Sequence, residues 1–156
     1  MLYFAYGSNL DCAQMRTRCA SASFIGIAKL PNHKIDFTRK STRRGCGVAD
    51  VVRHDSAAVW GVVYEITDSD LAQLDKDEGY REGRPATANS YVREQRQVLL
   101  NGNEDNPLSA WTYIANAQPN PPLPNADYKA LLVSSAKFWR LPADYLQQLE
   151  NIRTLG

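Results

Sequence analysis

The chain is 156 residues long, with 44% hydrophobic and 22% charged residues, a balance that predicts one globular domain over residues 1–156 and excludes wholesale disorder. Its formal net charge is +1, so no strong field of either sign surrounds the whole molecule. The charge is unevenly placed: nine basic against three acidic residues from Met1 to His54, a net of +6, then nine against fourteen in the remainder, a net of −5. A basic half without a recognition motif does not indicate nucleic acid. It can meet an acidic substrate or pair with the acidic half on folding.

Leu2–Ala5 reads as a buried strand that runs directly into the polar Gly7-Ser8-Asn9. So short an apolar run makes neither a signal peptide nor a membrane span, and a cytoplasmic protein without membrane contact is expected. Cys12–Arg18 reads as a short helix, with Leu10 and Met15 inward. Phe24–Ala28 and Ile35–Phe37 follow as strands separated by a turn at Pro31-Asn32, while Thr38–Gly45 lacks an apolar period and reads as a loop. Val48–Val52 and Val59–Tyr64 are further strands, and Gly61 marks a close packing position or bulge.

Thr67, with Asp70 three residues on, caps a helix whose Leu71 and Leu74 face the sheet and whose Asp75 and Lys76 face water. Gly79 ends that helix, so Glu78 falls at its terminus, where a loop can aim it inward. Tyr91–Leu100 and Ser109–Ile114 read as strands joined across Asn101-Gly102-Asn103, and Gln118–Pro122 as a loop. Asn125 caps a helix carrying Tyr128, Leu131 and Leu132; Pro142 opens a last one, with Tyr145, Leu149 and Ile152 inward. The sum is an α+β domain: a strongly curved mixed or antiparallel sheet, closed as a small barrel, with three or four flanking helices.

Two features carry chemistry. A loop leaving a strand has backbone amides that no ladder uses, and Gly7 lets them gather around an anion, with Tyr6 as a wall or hydroxyl and Ser8 and Asn9 as ligands or supports. Glu78 is a surface acid at a helix end or, desolvated in a pocket, a proton shuttle for acyl transfer. Cys12, Cys19 and Cys46 form no disulfide framework, and neither they nor His33 and His54 have metal-ligand spacing or a nucleophile elbow.

Tyr3-Phe4-Ala5-Tyr6-Gly7-Ser8-Asn9-Leu10 resembles the signature of gamma-glutamylcyclotransferase proteins. Val59–Tyr64, Leu74–Gly79, Pro122 and the pair Tyr128-Lys129 resemble the same family, and the similarity runs from Leu2 to Leu149. The resemblance implies a gamma-glutamylcyclotransferase-like fold and an intramolecular aminolysis. The free α-amine of a γ-glutamyl amide attacks its own γ-carbonyl, giving 5-oxoproline and releasing an amine or amino acid. On the motif match Glu78 is the acid/base; Tyr6, Gly7, Ser8, Asn9 and Leu10 form the substrate loop, with Gly7, Ser8 and Asn9 around the α-carboxylate or oxyanion; and Tyr128 lines the pocket. It further implies a small γ-glutamyl substrate as partner, no cofactor or metal, a place in glutathione metabolism and a homodimer.

The walls that choose the leaving group are not legible. Arg39, Arg43 and Arg44 either steer an acidic substrate or form a solvated loop, and the same choice stays open for Arg81 and Arg84, whose position just beyond Glu78 is compatible with contact at the pocket edge. Two alternatives stay open: a non-catalytic γ-glutamyl-metabolite binding or interaction module, and an acyl-transfer enzyme that removes a γ-glutamyl group from a specialised metabolite.

Overall fold

A computed structural model describes residues 1–156. Five strands, β1 (Leu2–Ala5), β2 (Ser23–Ser41), β3 (Cys46–Glu65), β4 (Tyr91–Leu100) and β5 (Pro107–Ala115), close into a mixed barrel in the order β1-β3-β2-β4-β5. All neighbours are antiparallel except β1 and β5, which close the barrel in parallel at Tyr3 and Trp111. Four helices flank it: α1 (Cys12–Arg18), α2 (Asp68–Asp77), α3 (Ala126–Phe138) and α4 (Ala143–Glu150). No helix is long and apolar enough to cross a membrane.

The largest difference from the sequence reading is in β2 and β3. Four expected short strands are two long ones, of 19 and 20 residues, forming a single hairpin. Pro31-Asn32 is no chain reversal but one of three register shifts along β2, where Asn32 at φ 60° stands alone against four residues of β3, His54 to Ala57. A bulge bends and twists a strand without ending it, which is why turn-forming residues here mislead. Thr38–Ser41 likewise belong to β2, leaving only Thr42–Gly45 as the tip.

This length has a consequence. β1 pairs with β3 only over Val62–Glu65, and β4 with β2 at Ala28 and Lys29. The half of the hairpin from His33 to Arg53 therefore extends beyond those barrel pairings. Gly47 anchors it: its N–H donates to the Leu123 carbonyl at 3.1 Å, and a Cβ there would lie 2.1 Å from the Pro122 carbonyl oxygen.

Alternation on the strands and 3.6-residue spacing on the helices converge on one core of Phe4, Leu30, Val59, Val62, Val63, Val98, Leu74, Leu132, Tyr145 and Leu149. Removing one such side chain to alanine costs on the order of 2–5 kcal/mol. Thr67 and Asp70 form the expected capping box on α2, and Asn125 caps α3 by accepting from the Tyr128 N–H at 2.8 Å. Asp75, expected in water, instead accepts from the Tyr113 hydroxyl at 2.7 Å and meets Arg93 Nε at 3.1 Å, tying α2 to the barrel wall.

Candidate active site

One end of the barrel opens into a cavity of about 340 Å³ where five pieces of chain meet: the loop after β1, the end of α2, the hairpin tip, the starts or ends of β4 and β5, and the first turn of α3. Tyr6, Gly7, Ser8, Asn9, Glu78 and Tyr128 all line it. Leu10 does not: it is 1% exposed in the core, its N–H bonded to the Gly7 carbonyl and its carbonyl accepting from Trp139 Nε1 at 2.8 Å. An apolar residue closing a one-turn 3-10 helix (Ser8–Leu10) anchors the loop from below.

The loop has the donors expected of it. Leu10 and Asp11 donate back to Gly7 and Ser8, whereas the amides of Gly7, Ser8 and Asn9 are used by no intramolecular hydrogen bond. Three consecutive N–H groups without an intramolecular partner are donors that an anion can use. The Asn9 side chain has a different task. Its Nδ2 donates to the Tyr3 hydroxyl at 2.9 Å, and its Oδ1 accepts from Gln14 Nε2 at 3.0 Å and Arg18 Nη1 at 2.9 Å. These bonds brace the frame of the loop.

Glu78 is the C-cap of α2, and a Schellman motif fixes it there: Gly79 at φ +68° donates to Lys76, and Tyr80 donates to Asp75 at 2.8 Å. The glycine is required twice over, because a Cβ at Gly79 would also press on Ser90 Oγ at 3.0 Å. The Glu78 side chain is 17% exposed, and it pairs with Arg18 Nη1 at 3.8 Å. Burial pushes its carboxyl up to about 7, against the pull of Arg18 and Arg44 and with the help of Asp77. A carboxylate poised there exchanges protons readily near neutrality.

Aromatic hydroxyls make the rest of the wall. Tyr6 donates to the Tyr113 carbonyl, Tyr91 to the Ala49 carbonyl at 2.7 Å, and the Tyr128 hydroxyl accepts from the Ala49 N–H at 3.1 Å. Arg44 lies over the Tyr128 ring, 5.0 Å from its centroid, and donates to Gln14 Oε1 at 3.2 Å. Burial pushes the Tyr128 phenol up to about 12, and that of Tyr91 well above its usual value, so both stay protonated at neutral pH.

The cavity's charge explains the uneven sequence. Arg18, Arg39, Lys40, Arg43, Arg44 and Lys76 line it against two acids, Asp77 and Glu78. Of the basic first half only Arg18 pairs with the acidic second half; four of its other eight cations, Arg39, Lys40, Arg43 and Arg44, line the cavity from the end of β2 and the hairpin tip. Arg84 is elsewhere, donating to Asn89 and to the Gly79 carbonyl, and neither it nor Arg81 lines the cavity. Sequence reasoning passed over Tyr3, Arg18, Tyr91 and Tyr113. The inward positions of β1, β4 and β5 were available from alternation, but which end of the barrel they reach was not.

A barrel cavity with a desolvated carboxylate, free backbone donors and a cationic mouth has the parts for proton transfer on a small molecule. The model of the AIG2-like family matches residues 58–149. Gamma-glutamylcyclotransferase of Bos taurus is 34% identical over 97% of this chain and 78% of its own length, and that of Homo sapiens 32% over the same shares. A solved structure of a gamma-glutamyl cyclotransferase superposes with a TM-score of 0.86 at 29% identity, covering 99% of this chain and 89% of that one. The chain belongs to the gamma-glutamylcyclotransferase family.

Proposed function

We propose that this protein cyclises a γ-glutamyl amide, with a γ-glutamyl amino acid as the substrate class, to 5-oxoproline and a free amine. The observation that carries the reading is Glu78, a carboxyl pushed up to about 7 at the wall of a cavity that also holds three free loop amides. The substrate α-carboxylate, or the oxyanion that develops on the γ-carbonyl, sits against the amides of Gly7, Ser8 and Asn9. The neutral α-amine attacks the γ-carbonyl and the new C–N bond closes the ring. Glu78 takes the surplus proton from the ring nitrogen and returns it to the departing nitrogen as the old C–N bond breaks. Atoms balance without a further reactant, and tethering of nucleophile to electrophile supplies much of the acceleration.

Product analysis across γ-glutamyl amino acids, γ-glutamyl amines and glutathione tests this. Release of 5-oxoproline with one favoured leaving group is the expected outcome; free glutamate, or binding without product, overturns it. Cytoplasmic residence, a role in glutathione metabolism and self-association as a homodimer belong to the same reading. Sedimentation at micromolar concentration checks the last.

A further inference from the structure

At Ala49, which pairs with Phe37 of β2 on one side, β3 has no strand on its other edge, because β1 pairs with it only from Val62 to Glu65. Two tyrosine hydroxyls take the place of a strand there, one on each backbone polar group of Ala49: Ala49 N–H donates to Tyr128 Oη, and Tyr91 Oη–H donates to the Ala49 carbonyl. A neutral phenol has one proton and can also accept. Tyr91 has committed its proton to the backbone, so toward the cavity it offers only lone pairs. Tyr128 has committed a lone pair, so its proton remains free. Both residues line the cavity with Glu78, and burial keeps both phenols neutral. The two hydroxyls thus have opposite polarity, imposed by the backbone.

Resting on the proposed cyclisation, we infer that Tyr91 is a substrate-orienting residue that accepts a hydrogen bond from the substrate's α-amine, while Tyr128 donates to the substrate's anionic oxygen. The placement of Tyr128 fits this division. Its hydroxyl lies 3.5 Å from where a Gly7 Cβ would stand, beside the free amides, and Arg44 covers its ring. For the amine the benefit is directional. A neutral amine has two N–H groups and one lone pair. Tyr91 Oη holds one N–H, the Glu78 carboxylate holds the other, and the lone pair is left for the γ-carbonyl. On attack the proton held by Glu78 leaves the nitrogen, and the one held by Tyr91 stays on the 5-oxoproline ring.

The test compares the γ-glutamyl amino acid turned over best with its glutaryl counterpart, which keeps both carboxylates and the amide but lacks the amine. Tyr91→Phe is expected to lower kcat/KM for the γ-glutamyl compound by about tenfold to a hundredfold. Inhibition by the glutaryl compound should stay within about twofold, since its groups never meet Tyr91; retained inhibition also reports an intact fold. Tyr128→Phe is expected to weaken the glutaryl compound by about tenfold. Equal losses for both ligands in Tyr91→Phe would make the tyrosine a mere brace for Ala49 and overturn the inference alone. Unchanged kcat/KM in Tyr91→Phe would overturn it too. A wild-type protein that neither releases 5-oxoproline nor is bound by the glutaryl compound would overturn it together with the reading it rests on.

Discussion

The inner wall and the mouth of the cavity are built by opposite means. On the inner wall the long polar side chains are tied down: Asn9 to Tyr3, Gln14 and Arg18; Arg18 to Asp77 and Glu78; Tyr113 to Asp75; Tyr91 and Tyr128 to the backbone of Ala49. At the mouth, Arg39 and Lys40 near the end of β2 and Arg43 and Arg44 on the hairpin tip lie beyond the barrel pairings; Arg39 and Arg44 each make a single side-chain hydrogen bond, and Arg43 makes neither a side-chain hydrogen bond nor an ion pair. The difference teaches a division of labour. Proton transfer needs atoms held to a fraction of an ångström, whereas attraction of an anion works at the range of the screened field and tolerates motion.

The comparison breaks first at Glu78. Glu78→Gln should lower turnover by roughly a thousandfold or more while substrate still binds, measured as kcat and as separate ligand affinity. The same variant should be the more stable protein in base. The folded-state pKa of Glu78 lies near 7 against 4.5 ordinarily, so the folded state binds more protons between these values and stability falls as pH rises through that window. The charge penalty, roughly 1–3 kcal/mol, is complete above pH 7 and absent below about pH 4. Thermal midpoints should therefore favour Glu78→Gln at pH 8 and converge at pH 4. Wild-type kcat/KM should fall as pH drops through 7, because the protonated carboxyl cannot accept.

Asn9→Ala is expected to cost about 2–4 kcal/mol, because it leaves the buried Tyr3 hydroxyl without its donor and removes the acceptor shared by the half-buried Gln14 and Arg18. Denaturant midpoints would show it, and a loss under 1 kcal/mol would mean that the frame around the loop is not what holds it. Arg18→Gln sharpens the electrostatics. With the cation at 3.8 Å gone, the acid limb of the pH–rate profile should move upward, a direction that mere loosening of α1 would not impose. The mouth should give the smallest effects. Arg39→Ala with Arg43→Ala is expected to raise KM about threefold to tenfold with kcat unchanged, and to flatten the dependence of KM on ionic strength. A large fall in kcat there would erase the proposed contrast between wall and mouth.

Local signals were strong where one residue type dictates one conformation. The Thr67/Asp70 capping box, Gly79 as helix terminator, Asn125 as cap and the β4–β5 turn at Asn101-Gly102 are all present as expected. Expectations failed where a residue has two uses. Pro31-Asn32 serves a bulge as well as a turn, and Arg39–Ser41 are polar because they face a cavity in a strand, not because they leave one. Asp75 had the spacing of a surface position, and only the partner on β5 turned it inward.

The order of residues alone determined the helix ends, the polar loop after β1 and the position of Glu78 at a terminus, because caps and turns depend on neighbours a few bonds away. Tertiary structure decided that loop, carboxylate and Tyr128 share one cavity, that Leu10 lies beneath it, and that Tyr91 and Arg18 join it. Those facts depend on barrel closure and on how far a long hairpin overshoots its partners. Closure is set by the summed packing of residues far apart in the chain, which no local pattern encodes.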